Sequence, residues 1–179
     1  MTSTATIPTP AGPFTVVVSD DAVVASGWSA DADALLAVIG AARLPSVAAE
    51  LDAGTLARRR DLGPFTRAVR DYHDGDLAAI DAVPVAQSSG PFTNRAWDEL
   101  RAIPAGESRT YSQLAASSGR PAAIRAAGTA CATNRAALFV PCHRALRSDG
   151  TLGGFAYGLD VKRWLLAHEA QAASAARAA

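Results

Sequence analysis

The chain has little of what several protein classes require. Among its 179 residues are only two cysteines, Cys131 and Cys142, too few for a disulfide framework or a cysteine-rich zinc site. No run of about 18 apolar residues occurs, and the opening Met1-Thr-Ser-Thr-Ala-Thr-Ile-Pro8 lacks the basic and apolar regions of a secretory leader. Neither secretion nor a membrane span is expected, and a reducing cytoplasm is the expected compartment. Net charge is lacking too, with 17 basic side chains against 17 acidic ones. A zero average argues against nucleic acid as a partner, but its distribution argues the other way. Residues 1 to 100 carry seven Arg against thirteen Asp or Glu, a net −6, whereas 101 to 147 carry seven Arg against Glu107 alone, a net +6. Phosphate binding asks for such a local patch, although a charge run is more often a solvated face.

What is present suffices for a globular α+β protein, since 49% of the residues are hydrophobic, enough for a sizeable core. Residues 11 to 28 read as a β-hairpin turning at Asp20-Asp21, and 31 to 43 and 64 to 73 have helical apolar spacing, the second opened by Gly63-Pro64. These make an N-terminal α/β domain with an antiparallel sheet, residues 1–86. The breaker-rich stretch Pro84 to Pro91 is the expected linker. Beyond it, 87–170 reads as a mostly helical, winged-helix-like domain. Residues 94 to 103 form a packing helix with Trp97 and Leu100 on one face. Thr110-Tyr-Ser-Gln113 has the spacing of a capping box, so a helix starts at Tyr111, and it ends near Ser117-Ser118-Gly119. Pro121 restarts a second helix, completing a helix-turn-helix. On that helix Ala122, Ala123, Ala126, Ala127 and Gly128 surround one long side chain, Arg125. Small residues there either allow close helix packing or make a smooth face that presses into a groove while the arginine acts as a wedge. The alanine-rich end, 171–179, is expected to be a flexible tail.

The chemistry concentrates in Leu138-Phe-Val-Pro141-Cys142-His143-Arg144. The apolar run reads as a buried strand that Pro141 keeps extended, so Cys142 leaves a strand end with a histidine beside it. A cysteine so placed is either a small buried hydrophobe or a nucleophile. Arg125 lies 17 residues before it, Asn134 eight before, and Glu169 27 after.

This set of residues at these offsets resembles the O6-alkylguanine-DNA alkyltransferases, closely over roughly residues 84 to 169 and loosely before. The resemblance implies direct, irreversible, stoichiometric DNA repair, with Cys142 taking the alkyl group of O6-alkylguanine, or of O4-alkylthymine, onto its sulfur. It implies that His143 polarises Cys142 through a water, that Glu169 orients His143 and that Asn134 holds the turn leading to the cysteine. Arg125 would take the place of the flipped base. Tyr111, Arg120, Ser112, Ser148 and Ala123 would contact DNA. Tyr111, Ala145, Phe155, Ala156 and Tyr157 would line the substrate pocket. The implied partner is double-stranded DNA carrying the lesion, bound by a monomer, with cooperativity on DNA left open. No cofactor or metal is implied, since no Cys precedes Cys131 to match the zinc ligands of some relatives. The sequence departs from the family pattern at Ala105, where an aromatic is usual, at Phe155, where tyrosine is common, and at Tyr157, where a small residue is usual.

Two other readings stand beside this one. A non-catalytic binder of alkyl lesions would need the same helix-turn-helix but no cysteine. A thiol hydrolase would use Cys142 and His143 but leave the basic helix-turn-helix idle. His73 has no evident partner, His168 reads as solvated, and Cys131 as a small buried side chain.

Overall fold

The computed structural model describes residues 2–178. Strand β1 (Ser3–Ile7) pairs antiparallel with β2 (Phe14–Ser19), and β2 with β3 (Ala22–Trp28). The hairpin turns where expected. Asp20 and Asp21 take φ of 50° and 57°, the left-handed pair that a two-residue loop needs to match the twist of its strands. A two-residue strand β4 (Ala57–Arg58) adds to β1 in parallel, so the sheet order is β3-β2-β1-β4. Both faces of the sheet are covered, which the period-two alternation of strand side chains permits. Val17 and Ala25 face a small core with Leu35, Leu36 and Ile39 of helix α1 (Ala32–Ile39) and Val47 of α2 (Pro45–Asp52). Phe14, Val16 and Val23 face a larger core, shared with Val69 and Tyr72 of α3 (Pro64–His73) and with residues beyond position 90.

The expected helix over 31 to 43 is broken at Gly40, whose φ of 90° suits glycine, into α1 and a short 3-10 turn. Asp31 caps α1 by accepting from Ala34 N at 2.8 Å. Helix α4 (Pro91–Arg101) starts three residues earlier than expected, because Pro91 serves as its first residue, and it buries Ala96, Trp97 and Leu100. Its Trp97 indole donates to Ala130 O at 2.9 Å.

The capping box forms as its spacing implies. Gln113 N donates to Thr110 Oγ1 at 3.2 Å, and Thr110 N to Gln113 Oε1 at 2.8 Å, starting α5 (Tyr111–Ser117). The second helix does not start at Pro121. Pro121 and Ala122 lie in the turn, and α6 runs Ile124–Ala132, its N-cap position taken by Ala123. Ala127, one of the small residues expected around Arg125, is fully buried against the core, while Arg125 is exposed. Beside the helix-turn-helix, β5 (Arg109–Thr110) and β6 (Ala145–Leu146) pair in parallel. The run 138–140 is not a strand. Leu138 takes φ 75°, Val140 N donates back to Ala136 O at 2.8 Å, and Cys142–Arg144 form a 3-10 turn. Burial of every residue there gave the apolar pattern, which does not distinguish strand from buried loop. Helix α7 (Leu159–Ala178) covers residues 171–178 of the segment read as a flexible tail, in keeping with the helix propensity of alanine, and Ala179 lies outside the described residues.

The outer edge of β3 ties distant segments to the sheet. Val23 bonds to Pro84 O and Ala86 N, and Ser26 bonds to Arg135 O and Ala137 N at 2.8 and 3.2 Å. Phe14 sits at this seam, fully buried, edge-on to Trp28 at 4.8 Å and to Phe139 at 6.5 Å. Because one core spans both halves, Phe14→Ala is expected to cost about 3–5 kcal/mol. Urea denaturation followed by fluorescence and by circular dichroism should show a single coincident transition at lower midpoint; separate transitions would contradict the shared core.

Candidate active site

Asn134, two residues past the end of α6, turns the chain towards the cysteine. Its Nδ2 donates to Val140 O at 2.8 Å and to Cys142 Sγ at 3.2 Å. Its Oδ1 accepts from Ala136 N at 3.1 Å and from Gln87 Nε2 at 3.0 Å. Gln87 in turn accepts from Arg135 N at 3.0 Å. With its polar atoms committed, this buried amide holds the bend in which Leu138 is left-handed, and it places the sulfur. Gln87 gave no sequence signal because it lies 47 residues from its partner.

The sulfur lies on a cavity of about 380 Å³. Tyr111, Phe155, Ala156 and Tyr157 line it as expected, together with Asn134, Gly128, Cys131, Arg147 and Gly153. Ala145 does not line it; it is fully buried, and its carbonyl accepts from Lys162 Nζ at 2.6 Å. Lys162, the only lysine of the chain, is itself buried. Gly153, with φ 69°, has to be glycine. A Cβ there would come within 2.9 Å of the Tyr111 hydroxyl. Cys131 is half-buried at the cavity wall, not sealed in the core. Tyr157 does not hang free at the rim. Its ring packs over Gly27 and edge-on to Trp28 at 5.8 Å, and its hydroxyl donates to Ser26 O at 3.2 Å. Burial raises that phenol's pKa, so the donor role is fixed.

Behind the sulfur sits a buried ionic cluster. His143 and Glu169 are both inaccessible to solvent, with Nε2 2.8 Å from Oε1. Arg144, at 1% exposure, donates through Nε and Nη2 to the same carboxylate at 2.8 to 3.2 Å and through Nη1 to Ile103 O at 2.6 Å. Tyr72 and Gly106 N add donors at 2.6 and 3.2 Å. Burial alone would raise the Glu169 carboxyl, but the hydrogen bonds from His143 and Arg144 and the charge of Arg144 more than reverse this and hold it well below the usual carboxylate range. An ionised carboxylate only accepts, so the His143 proton resides on Nε2. Nδ1 is then a lone pair, buried without a protein partner. Burial also lowers the His143 pKa, which keeps the ring neutral and able to take a proton. Burial pushes the Cys142 thiol up, while the Asn134 bond and the charge of Lys162 pull it down.

The remaining expected residues lie on the helix-turn-helix, apart from Ser148. Arg125 and Arg120 are exposed, the latter 5.8 Å over the Phe92 ring. Ser112 bonds to Thr110 Oγ1 at 2.8 Å, Ser148 is exposed in the turn after β6, and Ala123 is half-buried. His168 is not merely solvated. It is stacked on Trp164 at 4.8 Å and bonded to Tyr72 O at 2.8 Å, and His73 stacks against both rings, 5.5 Å from Trp164 and 6.2 Å from His168. Among the described residues no group of three or more metal-ligating side chains occurs, and no helix is long and apolar enough to cross a membrane.

Residues 91–171 match the family model described as 6-O-methylguanine DNA methyltransferase, DNA binding domain. A methylated-DNA--protein-cysteine methyltransferase of Salmonella typhimurium is 46% identical over 107 residues, covering 60% of this chain and 63% of the relative. One of Methanosarcina barkeri is 38% identical over 117 residues, 65% of this chain and 73% of the relative. The chain thus spans less than two thirds of the Salmonella relative's length. The fold is similar to the O6-methylguanine methyltransferase of Mycobacterium tuberculosis, with TM-score 0.75, 26% identity, and 96% and 94% of the two chains covered. A structure of the same species' protein in complex with DNA gives TM-score 0.76 at 26% identity, covering 95% and 94%.

The bond from Asn134 to Cys142 generates a prediction. A hydrogen bond to a charged group is worth about 1.5–3 kcal/mol, or roughly one to two pH units on the thiolate. Asn134→Ala is therefore expected to move the midpoint of pH-dependent alkylation by iodoacetamide, followed by mass spectrometry on the Cys142 peptide, upward from wild type by about that amount. An unchanged or lower midpoint would contradict the assigned contact.

Proposed function

The chain belongs to the methylated-DNA--protein-cysteine methyltransferase family, and on that premise we propose that it repairs O6-alkylguanine in double-stranded DNA by moving the alkyl group to Cys142. The observation that carries this reading is the sulfur at the cavity wall, bonded to Asn134 and backed by the His143–Glu169 pair, in a cavity that adjoins α6 through Gly128.

In the proposed step the sulfur attacks the alkyl carbon, an S–C bond forms and the C–O6 bond breaks. The thiol proton passes through a bridging water to Nδ1 of His143, whose lone pair is free. One proton returns to the guanine at N1, so the base is left unmodified and the charge balances. Glu169 keeps the imidazole in the tautomer that accepts, the role of the acid in serine hydrolases. A free thiol is only a few per cent thiolate at neutral pH, so the relay supplies the missing activation. The product thioether is a poor leaving group, and each molecule therefore reacts once. O4-alkylthymine would react by the same chemistry.

The target atom lies inside the base stack, so the nucleotide has to be extruded, at a cost of a few kcal/mol. Arg125, exposed on α6 beside half-buried Ala126 and Gly128, is the side chain we assign to the vacated place. Tyr111, Ser112, Arg120, Ala123 and Ser148 are assigned to the DNA backbone and the flipped nucleotide. A non-catalytic lesion binder would leave the buried relay without a task.

Incubation with a duplex containing O6-methylguanine is expected to add the mass of one methylene to the Cys142 peptide, once per molecule. Cys142→Ala is expected to abolish uptake while retaining duplex binding. A methyl group found on Cys131, or demethylation by the variant, would overturn the assignment.

The anchoring of Tyr157 bears on substrate size. Overfilling a tight site costs about 1–3 kcal/mol, or roughly ten- to a hundredfold in rate. Wild type is expected to react readily with O6-methylguanine and poorly with O6-benzylguanine, and Tyr157→Gly to gain about that factor on the benzyl compound alone. Single-turnover rates of both proteins on both substrates decide it, and fast benzyl transfer by wild type would count against a closed wall.

A further inference from the structure

We propose that Tyr72, contributed by α3 of the N-terminal half, is a positioning residue for the transfer reaction, its hydroxyl setting where the Glu169 carboxylate meets His143. This rests on the reaction proposed above. No sequence signal marks Tyr72, which lies 97 residues from Glu169.

Tyr72 is fully buried, and its hydroxyl donates to Glu169 Oε1 at 2.6 Å, the shortest bond that carboxylate makes. The same oxygen accepts from His143 Nε2 at 2.8 Å. Burial and the adjacent carboxylate both raise the phenol's pKa, so this hydroxyl keeps its proton and acts as a donor only. Arg144 supplies the compensating charge, its guanidinium reaching both carboxylate oxygens and Ile103 O. The Tyr72 hydroxyl adds a neutral donor from α3 to an Oε1 that already accepts from His143 and Arg144, and so ties the carboxylate to the N-terminal half as well as to the 3-10 turn.

A second, independent set of contacts holds Tyr72 in register. His168, next to Glu169 on α7, has its Nε2 2.8 Å from Tyr72 O, so that nitrogen carries the proton and donates. The rings of Trp164 and His168 stack at 13°, and those of His73 and Trp164 at 23°, which clamps α3 onto α7 beside the relay. Tyr72 is thereby bonded to α7 at both ends, through its carbonyl and its hydroxyl. The N-terminal half thus completes the relay that the C-terminal half carries.

Tyr72→Phe removes one oxygen and leaves the ring in place. Single-turnover methyl transfer at saturating O6-methylguanine duplex is expected to slow roughly tenfold, the scale of one hydrogen bond to a charged group. Duplex affinity, measured in the Cys142→Ala background, is expected to stay unchanged. In the background of Glu169→Gln, adding Tyr72→Phe is expected to bring no further slowing, because a residue that acts only through Glu169 has nothing left to position. Equal rates of wild type and Tyr72→Phe, or the same slowing in both backgrounds, would overturn the proposal. A variant-independent reading comes from 3-fluorotyrosine placed at position 72, whose stronger donor must shift the His143 ring nitrogen resonances; unshifted resonances would overturn it equally. Wild type serves as the control for the underlying reaction. If it takes up no methyl, the alkyl-transfer reading fails, whereas wild-type transfer with an indifferent Tyr72→Phe condemns only the role of Tyr72.

Discussion

The buried carboxylate of Glu169 is the constraint on which the rest of the site depends. It collects donors from Tyr72 on α3, from Gly106 in the loop after α4, and from His143 and Arg144 on the 3-10 turn, while itself belonging to α7. A lone buried carboxylate would be neutralised or expelled. Here it is compensated by Arg144, which is equally buried, so His143 need not carry a charge. Such a cluster is weak evidence for stability, since desolvation offsets most of the attraction, yet removing one member leaves an unpaired charge at a typical cost of about 3–5 kcal/mol. Its contribution is geometric. Four segments that are distant in sequence can satisfy one carboxylate in only one arrangement, and that arrangement leaves His143 Nδ1 as a free base.

Asn134 plays the corresponding part on the side of the sulfur. The peptide after α6 has to reverse sharply to bring Cys142 under the cavity, and Leu138 accepts a left-handed conformation that a bulky residue ordinarily avoids. The amide satisfies the backbone groups that the bend exposes, and Gln87 satisfies the amide. Ser26 on the edge of β3 takes up the next pair of backbone groups through Arg135 O and Ala137 N. The N-terminal sheet is therefore a scaffold for the cysteine loop. Tyr157 extends the same principle to the opposite wall of the cavity. Gly27 leaves room for its ring, since a Cβ there would collide with the Tyr157 phenol, and Ser26 O receives its hydroxyl.

The parts of this protein written locally were legible in the sequence. The hairpin turn at Asp20-Asp21, the capping box at Thr110, the span of α3 and the two helices of the helix-turn-helix follow from contacts between residues a few positions apart, where residue type alone selects the conformation. The Cys-His-Arg run, with Asn134, Arg125 and Glu169 at fixed offsets, identified the family, and the structure gathers Asn134, Cys142, His143 and Glu169 at one place. What the sequence left open was decided by tertiary contact. An apolar run is the same whether it is buried as a strand or, as at 138–140, in a bend. Pro121 can open a helix, but here it lies in the turn and α6 starts at Ile124. Tyr72, Gln87, Ser26 and Gly27 carry no signal along the chain because each acts on a partner between 47 and 131 positions away. Only folding brings such partners together, and a hydrogen bond leaves no periodicity in the sequence by which either partner could be read.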